Sequence, residues 1–242
     1  MDRLAYPSIS VVIPARDERV TTLVELKYGL HKLFSEVLIV DDGSDPPLPN
    51  TVASFRHETS QGYGAAIKTG LLHASCPYIL TMDGDGQHEV TDAFRLAGFL
   101  QRFPECVMVI GDRRLKERGV RLWGRKALNW TASFFAHRWI SDLNSGMRLF
   151  ERRVAEGYLP ILSDRFSLTT SLTLSLLADG YPVDWLPIKV NPRTHGVTKV
   201  QLLSDGWRTL LLIVWIGLAL NTRTVRKWLR PVWTPIRRLI HV

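Results

Sequence analysis

Short apolar runs of strand length alternate along the chain with longer segments whose apolar residues recur at helical spacing. Ile9-Ser-Val-Val-Ile13 is rich in β-branched residues and ends at Pro14, which predicts a buried strand. From Glu18 to Phe34 apolar residues stand at Val20, Leu23, Val24, Leu26, Leu30 and Leu33, a helical spacing. Val37-Leu-Ile-Val40 is a second strand, stopped by Asp41-Asp42-Gly43-Ser44 and by Pro46-Pro47-Leu48-Pro49. A weaker third strand is expected over Val52–Phe55. A turn at Gly62 and Gly64 then opens a helix through Ala74, and Tyr78-Ile-Leu-Thr-Met82 is the next strand. Further on, the pattern predicts a strand at Val107–Ile110 and helices over Leu122–Phe135 and Leu168–Leu177. It also predicts a strand at Val183–Val190 that Pro187 interrupts and so places near a sheet edge. Strands alternating with helices imply an α/β fold with a mostly parallel sheet flanked by helices. Such sheets bind ligands at the carboxyl ends of their strands.

Residues able to do chemistry fall at those ends: Pro14–Glu18, Asp41–Asp42 and Asp83–Gln87. Asp83-Gly84-Asp85-Gly86-Gln87-His88-Glu89 carries two carboxylates at i and i+2, which share one side of an extended segment. Held together, they repel unless a cation lies between them. The ligands on offer are hard oxygens, with Gln87 as a third, so the expected ion is Mg²⁺ or Mn²⁺. A polar turn whose Asp residues cap the next helix is the plain alternative. Gly62-x-Gly64 does not make a dinucleotide fingerprint, because Ile67 holds the place of the third glycine. Its small residues are expected to let the helix pack closely on the sheet, with Lys68 solvated. A helix over Leu122–Phe135 would carry Trp123, Trp130 and Phe134 on a face that is buried or near lipid.

The formal net charge of +8 points to a polyanionic partner: nucleic acid, an anionic membrane surface or a phosphorylated substrate. Nucleic acid is disfavoured, because carboxylates cluster at the strand ends and no nucleic-acid-binding motif is present. Cys76 and Cys106 suit a reduced compartment. Asp2 and Arg3 argue against a signal peptide at the start, and the apolar run Thr209–Leu220 is about half of a ~20-residue bilayer span. Beyond Asp205 there is no acidic residue, while Trp207, Arg223, Arg226, Lys227, Trp228, Arg230, Trp233, Arg237 and Arg238 follow. That tail predicts a basic helical segment at residues 204–242 that attaches to a membrane surface, behind a first domain at 1–203. The expected location is peripheral, on the cytoplasmic face of a membrane. Burial of the apolar run in a homo-oligomer is the other option.

Taken together, Val12-Ile13-Pro14-Ala15-Arg16-Asp17-Glu18, Val40-Asp41-Asp42-Gly43-Ser44 and Asp83-Gly84-Asp85-Gly86-Gln87-His88 resemble the inverting family 2 glycosyltransferases. Asp142-Leu-Asn-Ser145-Gly146-Met-Arg148-Leu-Phe150, Phe166-Ser-Leu-Thr-Thr and Arg193-Thr-His-Gly196-Val-Thr-Lys199 resemble the dolichyl-phosphate mannose synthase branch. The resemblance implies a GT-A (Rossmann-like) fold and transfer of a hexose from GDP- or UDP-sugar to a polyprenyl phosphate, dolichyl or undecaprenyl. A family 2 transferase acting on a saccharide acceptor is the alternative. It assigns Pro14, Arg16, Glu18, Val40 and Asp42 to the nucleotide's base and ribose, with Arg16 departing from the aromatic residue common there. Asp83, Gly84 and Asp85 would meet the diphosphate, and Asp83, Asp85 and Gln87 the metal. Arg113, Arg193 and Lys199 match phosphate-binding positions. An acceptor phosphate, already ionised at neutral pH, needs positive charge more than a base. Arg148 and Ser145 are the expected holders, with Asp142 orienting Arg148, and Asp85, Arg113 and Arg148 form the catalytic set.

Overall fold

The computed structural model describes residues 8–114, 120–191, 210–211 and 213–214. The strands are β1 (Ile9–Ala15), β2 (Glu36–Asp42), β3 (Phe55–His57), β4 (Tyr78–Thr81), β5 (Met108–Asp112), β6 (Arg148–Glu151) and β7 (Val183–Pro187). The helices are α1 (Val20–His31), α2 (Tyr63–His73), α3 (Val90–Arg102), α4 (Val120–Ala136), α5 (Arg152–Glu156) and α6 (Leu168–Ala178). The seven strands form one sheet in the order β3-β2-β1-β4-β6-β5-β7. β6 pairs antiparallel with both β4 and β5, and the remaining pairs are parallel. The fold is thus the mostly parallel α/β architecture that the strand–helix alternation implies.

Side chains leave successive strand positions on opposite faces, and this sheet buries both. Ile9, Val11 and Ile13 of β1 and Leu80 of β4 pack with Leu23, Leu26 and Leu30 of α1 and with Ala93, Leu96 and Leu100 of α3. Val12 and Ile79 face the other way, onto Ile67 and Leu71 of α2 and Leu168, Leu172 and Leu176 of α6. A third, smaller cluster joins Ala132 of α4 to Ile140, Leu143, Leu174 and Ile213. Of the apolar run at Thr209–Leu220, the described residues are helical, and Ile213 is fully buried in this cluster.

Several local expectations change. The third strand begins at Phe55 rather than Val52, because Val52 and Ala53 donate to the Pro49 carbonyl and close a turn first. The pattern reading placed no helix over α3, although Ala93, Leu96, Ala97 and Leu100 recur at helical spacing and are buried. It also placed no strand at β6, where Arg148 and Glu151 leave only Leu149 and Phe150 as apolar positions. Gly62 and Gly64 pack on the 163–165 loop, where an added Cβ would stand 2.3 Å and 2.2 Å from the Asp164 and Ser163 carbonyl oxygens. It is Gly70 that touches the sheet, against Val12. Lys68 is not simply solvated: its ammonium bonds the Leu162 carbonyl at 2.5 Å and the Asp164 carboxylate at 2.7 Å, holding that loop onto α2. β7 lies at the sheet edge, as Pro187 requires.

Candidate functional site

From β1 the chain moves outward to β2 and β3, then returns to β4 on the opposite side of β1. The carboxyl ends of β1 and β4 therefore flank a topological switch point, the place where an open α/β sheet leaves a crevice. Pro14–Glu18 follow β1, and Asp83–Gln87 follow β4. Since β6 runs antiparallel, it is its leading segment, Asp142–Met147, that meets this same edge.

Asp83 lies at the centre. Its Oδ1 accepts the Tyr63 hydroxyl at 3.0 Å, and its Oδ2 is 3.4 Å from His88 Nε2. Tyr63, the first residue of α2, stacks on Phe166 with ring centroids 4.9 Å apart. The carboxylate rests on Gly146, where a Cβ would come 2.3 Å and 2.4 Å from its two oxygens. Gly146 is fixed in turn by its carbonyl, which accepts Thr81 Oγ1 at 2.7 Å. Burial raises the Asp83 pKa, but the bond and charge of His88, then Arg113 and Tyr63, outweigh it and hold the group below the ordinary value. Asp83 is ionised at neutral pH. Asp85 is buried, and its Oδ1 accepts the Gln87 backbone N–H at 3.0 Å. Gly84 fits between Leu23 and Ile13, and the Gln87 amide donates to the Asn191 carbonyl at 3.3 Å.

Asp142 grips Arg113 in a two-pronged pair, with Nε to Oδ2 at 2.8 Å and Nη2 to Oδ1 at 3.0 Å. Burial pushes the Asp142 carboxyl up, and Arg113 pulls it down further than that. Asp142 thus orients Arg113, where the sequence reading had it orient Arg148. Arg148 lies beneath the edge, 1% exposed. Its guanidinium donates to the carbonyls of Ser145 at 2.7 Å and Thr169 at 3.0 Å, to Thr173 Oγ1 and to the Leu143 carbonyl. Burial lowers its pKa to about 10, so it stays cationic at neutral pH. The geometry makes Arg148 the clamp that shapes the Leu143–Ser145 turn. Thr170 donates to the Asn144 side chain at 2.8 Å, so the hydroxyls of α6 brace the same turn.

On the other flank, Pro14 and Val40 are register partners across β1 and β2. Asp42 accepts Ser60 Oγ at 2.8 Å, the Gln61 and Gly62 N–H groups at 2.8 Å and 2.9 Å, and contacts His57 Nδ1 at 2.7 Å. Burial opposes its ionisation, but His57 and these donors keep its pKa below the ordinary value. Arg16 Nη1 donates to Ser60 Oγ at 2.9 Å, linking it through that serine to Asp42. Glu18 is partly exposed just before α1. Arg193 and Lys199 lie outside the described residues, as do the basic tail from Arg223 and residues 115–119. Tyr63, His88 and Gly146 about Asp83, and His57 and Ser60 about Asp42, were not assigned as site residues. His88 stands next to the acidic motif, whereas only the fold brings Tyr63 to it.

The donors about Asp83 fit a divalent ion. Two carboxylates and an amide suit Mg²⁺ or Mn²⁺, which take one or two carboxylates and complete their shell with substrate phosphates. Among the described residues no group of three His, Cys, Asp or Glu could hold a metal. Among the described residues, Ser145 Oγ, preceding Gly146, and His88 Nδ1 are buried without a hydrogen-bond partner. Unsatisfied buried polar atoms are rare, and one lies on a residue that contacts the Asp83 carboxylate while the other precedes the glycine on which that carboxylate rests.

The model of glycosyl transferase family 2 matches residues 10–159 of this chain. Glycosyltransferase AglJ of Haloferax volcanii is 26% identical over 212 residues, spanning 82% of this chain and 68% of that protein. The dolichyl-phosphate β-glucosyltransferase of Dictyostelium discoideum is 25% identical over 235 residues, spanning 81% of this chain and 72% of that one. Among solved structures, glucosyl-3-phosphoglycerate synthase of Mycobacterium tuberculosis, in complex with Mn²⁺, uridine diphosphate and phosphoglyceric acid, superposes with a TM-score of 0.66 at 17% identity. That match covers 90% of this chain and 80% of that one.

Proposed function

Since the chain belongs to glycosyl transferase family 2, we propose that it moves a hexose from a GDP- or UDP-sugar onto a polyprenyl phosphate, with inversion at the sugar carbon. The observation that carries this reading is the meeting of opposite charges at the crevice: ionised Asp83 on Gly146, and Arg113 aligned by Asp142. The likeness to a dolichyl-phosphate glucosyltransferase supports a lipid phosphate as acceptor. The Mn²⁺ and uridine diphosphate in the structural relative support a metal-assisted nucleotide-sugar donor.

An oxygen of the acceptor phosphate attacks the sugar's anomeric carbon from the face opposite the diphosphate. A new C–O bond forms as the bond to the diphosphate oxygen breaks, and that oxygen leaves with the electron pair. No proton need move, because the attacking phosphate is already an anion. The task is to bring two anions together and to stabilise the charge that grows on the leaving group. A divalent ion held by Asp83, Asp85 and Gln87 would supply that stabilisation. Arg113 is the cation facing the reacting phosphates, its planar fork suited to their oxygens. Arg148 acts from below, holding the turn that presents Ser145 and seats Asp83. Arg16, Asp42 and the ends of β1 and β2 would form the base and ribose side, and the family resemblance assigns the diphosphate to Arg193 and Lys199, which lie outside the described residues.

The test is to incubate the protein with Mn²⁺ or Mg²⁺ and labelled UDP- or GDP-hexoses, with and without a polyprenyl phosphate. The expected result is label passing into the organic phase only when lipid phosphate and metal are both present. Label passing instead to an added saccharide would overturn the lipid-phosphate reading.

A further inference from the structure

The four most exposed large hydrophobic side chains among the described residues lie together in sequence. Trp123, Trp130 and Phe134 on α4 and Trp139 just beyond it are 72%, 73%, 71% and 69% exposed. At ~100° per residue, positions 123, 130 and 134 fall within about 40° of one another, so they make one stripe along the helix. The opposite side of α4 is bound to the domain. Ala132 is buried with Ile140, Leu143 and Leu174, and Asn129 donates to the Ser141 carbonyl at 2.7 Å. The outward stripe is therefore not the residue of a poorly packed helix; one face is anchored and the other is aromatic and open.

Charge says what can cover it. No Asp or Glu stands between Glu117 and Asp142, and Lys126, about 60° round the helix from Trp123, is the exposed cation that flanks the stripe among the described side chains of α4. The exposed Lys126 ammonium lies over the Trp123 ring at 5.7 Å. A second copy meeting this face across a two-fold axis would set cation against cation. The C-terminal tail, which has no acidic residue after Asp205, would do the same. Tryptophan beside lysine, with no acidic residue nearby in sequence, instead matches the boundary of an anionic bilayer, where the rings enter the headgroup layer and the ammonium meets phosphate.

We propose that the exposed face of α4 is a docking surface for an anionic phospholipid bilayer. It would rest the Asp142 loop, which Asn129 of the same helix supports, against the lipid headgroups. Docking itself does not depend on the polyprenyl-phosphate reading, although it gives that reading a means of reaching its acceptor.

The experiment is flotation of the full chain with vesicles of phosphatidylcholine alone and of phosphatidylcholine mixed with phosphatidylglycerol. It compares wild type, the triple variant Trp123→Ser/Trp130→Ser/Phe134→Ser, the single variant Lys126→Glu, and a chain ending at Asn221. The expected result is preference for anionic vesicles, weakened by salt as charges become screened beyond ~8 Å. The triple variant should need at least about tenfold more lipid for half binding, and Lys126→Glu should weaken binding in the same direction. Should the triple variant not fold, Trp130→Ser with Lys126→Glu carries the same comparison. Wild-type vesicle affinity in these variants, or loss of binding confined to the shortened chain, would overturn the proposal. So would a variant-sensitive dimer by light scattering with no vesicle binding. If wild type transfers sugar to no polyprenyl phosphate yet docks through α4, the proposed function fails and this surface stands.

Discussion

Gly146 and Asp83 share one space: the Asp83 carboxylate lies where a Cβ on Gly146 would be, at 2.3 Å and 2.4 Å from its oxygens. Either the carboxylate or the backbone must move if that Cβ is added. Gly146→Ala should lower the transfer rate about 100-fold, the scale expected when a reacting group is misplaced by an ångström. Thermal melting should change little by comparison. Initial rates across a Mn²⁺ titration check it, and a wild-type rate in this variant would show that the seat is not needed.

Asp85→Asn removes one charge from the proposed ion's ligands without changing side-chain volume. Transfer should fall by at least ~100-fold with the circular dichroism spectrum intact. Near-normal turnover by the folded variant would reject the carboxylate-pair assignment.

Arg113 and Arg148 should separate by readout. Arg148→Met would leave the buried Leu143, Ser145 and Thr169 carbonyls without their donors, at a cost of about 3 kcal/mol or roughly 10 °C in Tm. Arg113→Lys keeps a charge beside Asp142, so Tm should move by only a few degrees. Lysine lacks the two-pronged fork, however, and transfer should slow at least about tenfold. Melting curves and initial rates on the same samples decide it. A stable, slow Arg148→Met protein would return Arg148 to the reacting phosphates.

Acid should unfold the protein through its buried carboxylates. Asp41, Asp42, Asp83 and Asp142 all have pKa values depressed below the usual 3.8 in the folded state. The folded state then binds fewer protons than the unfolded one. Stability should be at its full value above about pH 5 and fall as pH drops through 4 and below. A urea midpoint that stays level from pH 6 to pH 3 would contradict this.

What could be read from the sequence was whatever a local pattern carries. β1, β2 and β4 announce themselves as β-branched runs, and Asp83 and Asp85 stand directly at the end of one of them. β6 opens on an arginine and closes on a glutamate around only Leu149 and Phe150, so no apolar run marks it. The partner of Asp142 was misjudged for a related reason. Arg148 is six residues away in sequence, yet the sheet takes it inward, while Arg113 arrives from the end of β5. Tyr63 likewise reaches Asp83 only because α2 packs over β1 and β2 and so brings its first residue to the edge where β4 ends. Contacts between elements depend on topology, which side-chain patterns within an element do not encode.

The reversed direction of β6 has a consequence for how such a site can diversify. In a wholly parallel sheet every loop at the reactive edge leaves a strand and leads into a helix. β6 instead lets a segment come to that edge from a helix and then descend into the core, so Asp142–Met147 is tethered at its start by the bond of Asp142 to Arg113 and at its end by Arg148. That segment is thereby fixed at both ends independently of β1, β2 and β4, so a change in its sequence alters one side of the crevice without disturbing the strand ends that form the other.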